Sequence, residues 1–112
     1  MDNDIKTWLY DILSSINEIE SYYVDTPKIF EAYENDLRTK RAIERNIEII
    51  GEAMSRILKQ SQKIEISNSR KIVDVRNRII HGYDSVSDDV IWGIIVKNLP
   101  VLQQEVEKLI NE

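Results

Sequence analysis

The sequence predicts an all-α fold, an antiparallel bundle of four main helices plus one short helix. Three observations lead there. Apolar residues recur at three- and four-residue spacing along nearly the whole chain, as one face of a helix requires. No stretch of useful length alternates as a half-buried strand does. Capping and breaking residues divide the periodic pattern into segments of helical length, and short connections between such segments make neighbouring helices antiparallel.

Each element has its own reason. Ile5, Trp8, Leu9, Ile12, Ile16, Ile19 and Tyr23 mark a first long helix. Asp25-Thr26-Pro27 reads as a stop and a new start, with Thr26 as N-cap, Pro27 at the first helical position and a short helix over residues 27–33. Asn35 or Asp36 restarts the chain. Ile43, Ile47, Ile50, Met54 and Ile57 then step by 4, 3, 4 and 3 along a second long helix. Gly51 lies inside that helix at a cost of roughly 1 kcal/mol relative to alanine, which is best explained by close approach of another backbone. Residues 60–68 are polar and read as a loop into which Ile64 and Ile66 can tuck. Ser69 is the expected cap of a third helix running to about Ile80, and Gly82 suits the left-handed residue that ends it. Ser87 caps the last helix, with Asp88 and Asp89 complementing its dipole. Pro100 lacks an N–H and should kink that helix.

The 112 residues suit one domain, 1–112. No apolar run approaches the roughly 20 residues of a bilayer span, and the acidic start Met1-Asp2-Asn3-Asp4 is unlike a signal peptide, so a cytoplasmic setting is expected and no membrane partner. With no cysteine and one histidine, the chain offers no thiolate site and few ligands for zinc or iron, so no metal or other cofactor is expected. The net charge of −5 hides an asymmetry: residues 37–81 hold eleven Lys/Arg against five acids, while the remainder holds four against fifteen. A local positive field in the middle of the chain can still hold a phosphate backbone.

The histidine lies in that basic stretch, within Arg76-Asn77-Arg78-Ile79-Ile80-His81-Gly82-Tyr83. On a helix, Ile72, Val73, Val75, Ile79 and Ile80 fall on an arc of roughly 160°, with Arg76 near its middle and Asn77 and His81 on a neighbouring face. A guanidinium amid an apolar stripe is costly unless paired. Histidine is the usual proton carrier near neutral pH, and arginine binds phosphate and steadies charge developing on it. Together they suit metal-free cleavage of RNA by attack of the 2′-hydroxyl. That reaction wants both a base and an acid, which a two-fold dimer with the site on its axis supplies from one histidine per chain. The same residues also fit structural roles: Arg76 as an ion-pair partner of Glu48 or Glu52, His81 as a polar residue at a helix end, and Asn77 as a solvated side chain or as the group orienting the His81 ring. Asp84, Asp88 and Asp89 can be drawn as a magnesium site, although capping explains the last two better. Tyr22, Tyr23 and Tyr33 read as packing residues; Tyr83, beyond Gly82, is a candidate exposed hydroxyl.

The segment Arg76 to Tyr83 resembles the Arg-x4-His-x-Tyr signature of the HepT-like branch of the HEPN superfamily. Arg41-Ala42-Ile43-Glu44-Arg45-Asn46-Ile47-Glu48-Ile49-Ile50-Gly51-Glu52-Ala53 is similar to that branch's second-helix motif, and Ile91-Trp92-Gly93-Ile94-Ile95 with Leu99-Pro100 to its last helix. The resemblance implies a HEPN-like helical homodimer, or a higher even oligomer, with a composite Arg/His ribonuclease site acting on RNA. It further implies a type II or type VII toxin–antitoxin setting with a nucleotidyltransferase antitoxin that adds AMP to the motif tyrosine. On that basis Arg76 and His81 are the expected catalytic residues, Asn77 and Glu52 supporting ones, and Tyr83 the site of modification. The alternative is a non-catalytic helical module that binds a nucleotide or docks a nucleotidyltransferase.

Overall fold

Asp2 opens the first helix, α1 (Asn3–Ser21), by accepting hydrogen bonds from the N–H groups of Asp4 at 2.7 Å and Ile5 at 3.3 Å. The computed structural model describes residues 2–82 and 86–112, so the expectations for Tyr83 and Asp84 lie outside the described residues. Ile5, Leu9, Ile12, Ile16 and Ile19 face the core as their spacing predicts, but the helix ends at Ser21. Tyr23 lies beyond that end and packs edge-on against Trp92, ring centroids 6.1 Å apart.

The short helix begins later than expected. It is α2, Phe30–Glu34, with Ile29 at its N-cap and no side-chain cap bond; Thr26 and Pro27 precede it in non-helical chain. The segment is positioned by aromatic packing, not by a cap: Phe30 and Tyr33 meet Trp92 at 6.0 and 5.2 Å, which ties α2 to the far end of the chain. Asp36 caps α3 (Leu37–Gln60), accepting from the N–H of Thr39 at 3.1 Å and its hydroxyl at 2.7 Å. Those bonds hold its carboxyl below the ordinary aspartate value.

Ile66 from the following loop is buried and Ile64 partly so. The next helix, α4, spans Ser69–His81, but Ser69 is its first residue and not its cap. Asn68 occupies the cap in a left-handed conformation, φ 60°, a region that asparagine tolerates better than most residues. Gly82 closes α4 at φ 65°, its N–H donating to the Arg78 carbonyl at 3.1 Å.

The last helix is a composite of α5 (Asp88–Gly93), a π-helical segment (Ile94–Asn98) and α6 (Leu99–Ile110). Ser87 stands at the N-cap, where its carbonyl and not its side chain takes the first helical bonds, from Val90 and Ile91. The break expected at Pro100 comes one turn earlier: Leu99 N–H bonds back five residues to the Ile94 carbonyl, and proline then sits in the first turn of α6. Helix α3 is the central element, packing against α1 on one side and α4 on the other, with α6 closing onto α1. Among the described residues there is no strand, and no helix is long and apolar enough to cross a membrane.

Candidate functional site

The site is built where α4 crosses α3, and a glycine determines how closely the two meet. A Cβ placed on Gly51 would overlap the Cβ of Arg76 and come within 2.7 Å of its Cγ; it would lie 3.4 Å from the Ile72 carbonyl. The close approach inferred from the sequence is therefore real, but the neighbour is chiefly the aliphatic stem of Arg76. This resolves how an arginine sits in an apolar stripe. Its methylenes pack in the helix–helix groove while the guanidinium reaches the edge, leaving the side chain one-quarter exposed.

Three contacts describe the guanidinium. Nη1 donates to Asn77 Oδ1 at 2.9 Å. Nη2 lies 3.8 Å from Glu52 Oε2, near enough for attraction but too far for a hydrogen bond. Nε is buried with no partner among the described residues. Glu52 is engaged more closely by Arg56, whose Nη2 donates to its Oε1 at 2.8 Å. Glu48, the other carboxylate considered for Arg76, pairs with Arg45 at 3.2 Å. Arg76 is thus aimed by Asn77 and drawn by Glu52, yet not neutralised in a close bidentate pair. A purely structural buried arginine is normally satisfied, because an orphaned buried donor costs about 1–3 kcal/mol.

His81 is exposed in the final turn of α4. It lies five positions beyond Arg76 on the helix, about 140° of rotation and about 7.5 Å of rise. One protomer therefore presents the two on different faces. Asn77, foreseen as a possible support for the His81 ring, gives its carbonyl oxygen to Arg76. Ile80 departs from expectation too: helical spacing puts it on the apolar arc, but it is 48% exposed, because α4 runs past the edge of the core at its end, and Ile79 is only partly buried.

Other features went unforeseen. Asn46, in the middle of α3, is buried and donates to the Tyr22 hydroxyl at 3.2 Å and to the Ala42 carbonyl at 3.1 Å. Arg56 as second partner of Glu52 could have been read from its i+4 spacing. Of the three aspartates considered for a magnesium site, Asp88 is held by Lys40 at 3.0 Å, and among the described residues no three His, Asp or Glu side chains converge as a metal cluster.

An all-helical bundle with a composite last helix, an arginine seated between its two middle helices and a histidine at the end of the same helix is the arrangement expected of a HEPN-type nuclease. The sequence pattern of the family described as "Ribonuclease HepT-like" matches residues 12–109. The chain belongs to the HepT-like ribonuclease family. It is 32% identical over 111 residues to "Probable ribonuclease HepT" of Thermococcus cleftensis, covering 97% of this chain and 98% of that protein. It is similar as well to two proteins of Methanocaldococcus jannaschii. One is named "Putative RNase MJ0125", 32% identical over 110 residues, with 97% of this chain and 93% of the relative covered. The other is named "Putative RNase MJ0127", 27% identical over 110 residues, with 97% and 89% covered. No solved structure matches the chain significantly.

Proposed function

We propose that this protein is a metal-independent RNA endonuclease that works as a homodimer, with Arg76 and His81 of both protomers forming one composite site. The observation that carries this reading is the incomplete pairing of Arg76, which is held in place by Gly51 and Asn77 while part of its guanidinium remains uncommitted. In the reaction, one His81 imidazole takes the proton from a ribose 2′-hydroxyl, whose oxygen attacks the adjacent phosphorus. The Arg76 guanidinium stabilises the negative charge on the pentavalent phosphorane. The second His81, in its imidazolium form, donates a proton to the departing 5′-oxygen. The products are a 2′,3′-cyclic phosphate and a 5′-hydroxyl end. The angular separation of Arg76 and His81 on α4 supports a site shared between protomers.

The wider role we infer is that of a toxin neutralised by a nucleotidyltransferase antitoxin. Transfer of AMP to Tyr83 would add a phosphate charge and bulk two residues from His81, where an RNA phosphate has to approach. The test is cleavage of RNA by purified protein in EDTA, comparing wild type with Arg76→Ala and His81→Ala, each confirmed as folded and dimeric. Cleavage by wild type alone, with cyclic phosphate ends, is the expected result. A folded, unmodified and inactive wild-type dimer that binds nucleotide through Arg76 would replace this reading with the docking module.

A further inference from the structure

The cleft on the other side of α4 is a second feature that the Arg76–His81 chemistry does not use. It is an open depression of about 390 Å³ between the first turns of α3, the last turn of α4 and the start of α5, lined in part by Lys40, Arg41, Glu44, Arg78, Ile79 and Val86. The two carboxylates that line it among the described residues are already engaged: Glu44 takes two hydrogen bonds from Arg41 Nη1 at 2.8 and 3.0 Å, and Asp88 is bridged by Lys40 at 3.0 Å. Among the described residues no carboxylate pairs with Arg78. Among the described residues, the cleft therefore carries a cation without a carboxylate partner, beside a wall made of Ile79 and Val86, both partly buried. A cationic rim over an apolar wall matches one nucleotide unit, whose phosphate is charged and whose base has two apolar faces.

Its place in the fold matters as much as its chemistry. Arg78 precedes His81 by three residues, which puts their Cβ atoms roughly 5–6 Å apart on adjoining faces of α4. We propose that this cleft is an RNA subsite that holds the nucleotide flanking the scissile phosphate, with Arg78 binding the flanking phosphate and the Ile79–Val86 wall receiving the base. Arg41 and Lys40 keep Glu44 and Asp88 from repelling the strand. This rests on the ribonuclease reading and adds to it a residue for binding that is separate from those for bond cleavage.

The experiment uses binding and turnover separately, so that the subsite and the ribonuclease reading can fail independently. Binding of a short single-stranded RNA to the full-length His81→Ala dimer is measured by fluorescence anisotropy over a series of salt concentrations. Adding Arg78→Ala is expected to weaken binding several-fold and to reduce the slope of log K against log salt by about 0.7, the value for one lost single-strand phosphate contact. Glu44→Gln in the same background is expected to tighten binding, an opposite sign that mere loosening of the fold would not give. In the active protein, Arg78→Ala should raise KM with kcat within about twofold. Unchanged affinity and slope in Arg78→Ala, or a Glu44→Gln variant that binds no better, overturns the subsite. If Arg78→Ala does not fold, Arg41→Ala, which leaves Glu44 unshielded on an exposed rim, must weaken binding by the same assay or the proposal fails. Salt-sensitive binding of this pattern by a wild type that never cleaves would keep the subsite and reject the ribonuclease.

Discussion

Replacing Gly51 with alanine separates stability from activity. The added methyl has to displace Arg76, since its nearest neighbours would be the Cβ and, at 2.7 Å, the Cγ of that side chain. Carbon atoms prefer about 3.5–4.0 Å, so the stem, or the whole of α4, must move by about 1 Å. Crowding of that kind typically costs about 1–3 kcal/mol. Alanine returns roughly 1 kcal/mol of helix propensity in the middle of α3. The net loss is then about 0–2 kcal/mol, which lowers Tm by at most about 16 °C, taking roughly 4–8 °C per kcal/mol for a small domain. A catalytic group misplaced by about 1 Å loses on the order of 100-fold in rate. The assay is initial-rate cleavage of a fluorogenic RNA well below the melting temperature, beside thermal unfolding and a check of oligomeric state. The expected variant is folded, slightly less stable and nearly inactive. If activity is retained while Tm rises by the propensity gain, Arg76 is not seated on Gly51 and the argument fails.

Three other expectations concern separate parts of the molecule. Refolding wild-type protomers together with an excess of His81→Ala protomers should lower cleavage more steeply than the dilution of wild type, since a site on the dimer axis needs both histidines; activity that falls only in proportion to the wild-type share would exclude a site shared across the dimer. The Tyr33 hydroxyl is buried without a partner among the described residues, and burial, aided by the nearby Asp88 and Glu44 charges, pushes it well above the ordinary phenol value. Tyr33→Phe should therefore stabilise the fold by about 1 kcal/mol in urea unfolding, and a clear loss would show that the hydroxyl is bonded. Asp36 is lowered by its bonds to Thr39, so its contribution is fully present above the ordinary value of 3.8 and lost as pH falls through the lower, folded value. Asp36→Asn keeps a capping oxygen without the titration, and its urea midpoint should fall less than that of wild type between pH 5 and pH 3, other carboxylates titrating alike in both.

The helical period made most of the architecture legible. Ile43, Ile47, Ile50, Met54 and Ile57 are all fully buried, as a stripe of that spacing requires. Several boundaries are legible from local residue type: Gly82 ends α4 and Ser87 opens α5 as expected, and of the pair Asn35 and Asp36 it is Asp36 that caps α3. Ser69 is not the cap of α4, because the chain enters that helix through a left-handed Asn68, a geometry that depends on where the preceding loop has to come from. Thr26-Pro27 carried the local signal for a helix start, but the packing of Phe30 and Tyr33 against Trp92, some sixty residues on, won over it. The same distinction holds at the site. The unusual placement of Arg76 and the need for space at Gly51 could each be read separately. That each explains the other could not, since it depends on the register in which α4 crosses α3. The cleft beside Arg78 was equally hidden, being assembled from three segments far apart in sequence.

The seat of Arg76 on Gly51 also links the histories of two positions. The atom nearest to the missing methyl is the Cβ of residue 76, which every amino acid but glycine carries. Exchanging the arginine alone therefore does not make room, and alanine at 51 has to wait for glycine at 76 or for α4 to shift away. The helix propensity withheld at 51 is thus a cost of the α3–α4 crossing itself, whatever side chain stands at 76.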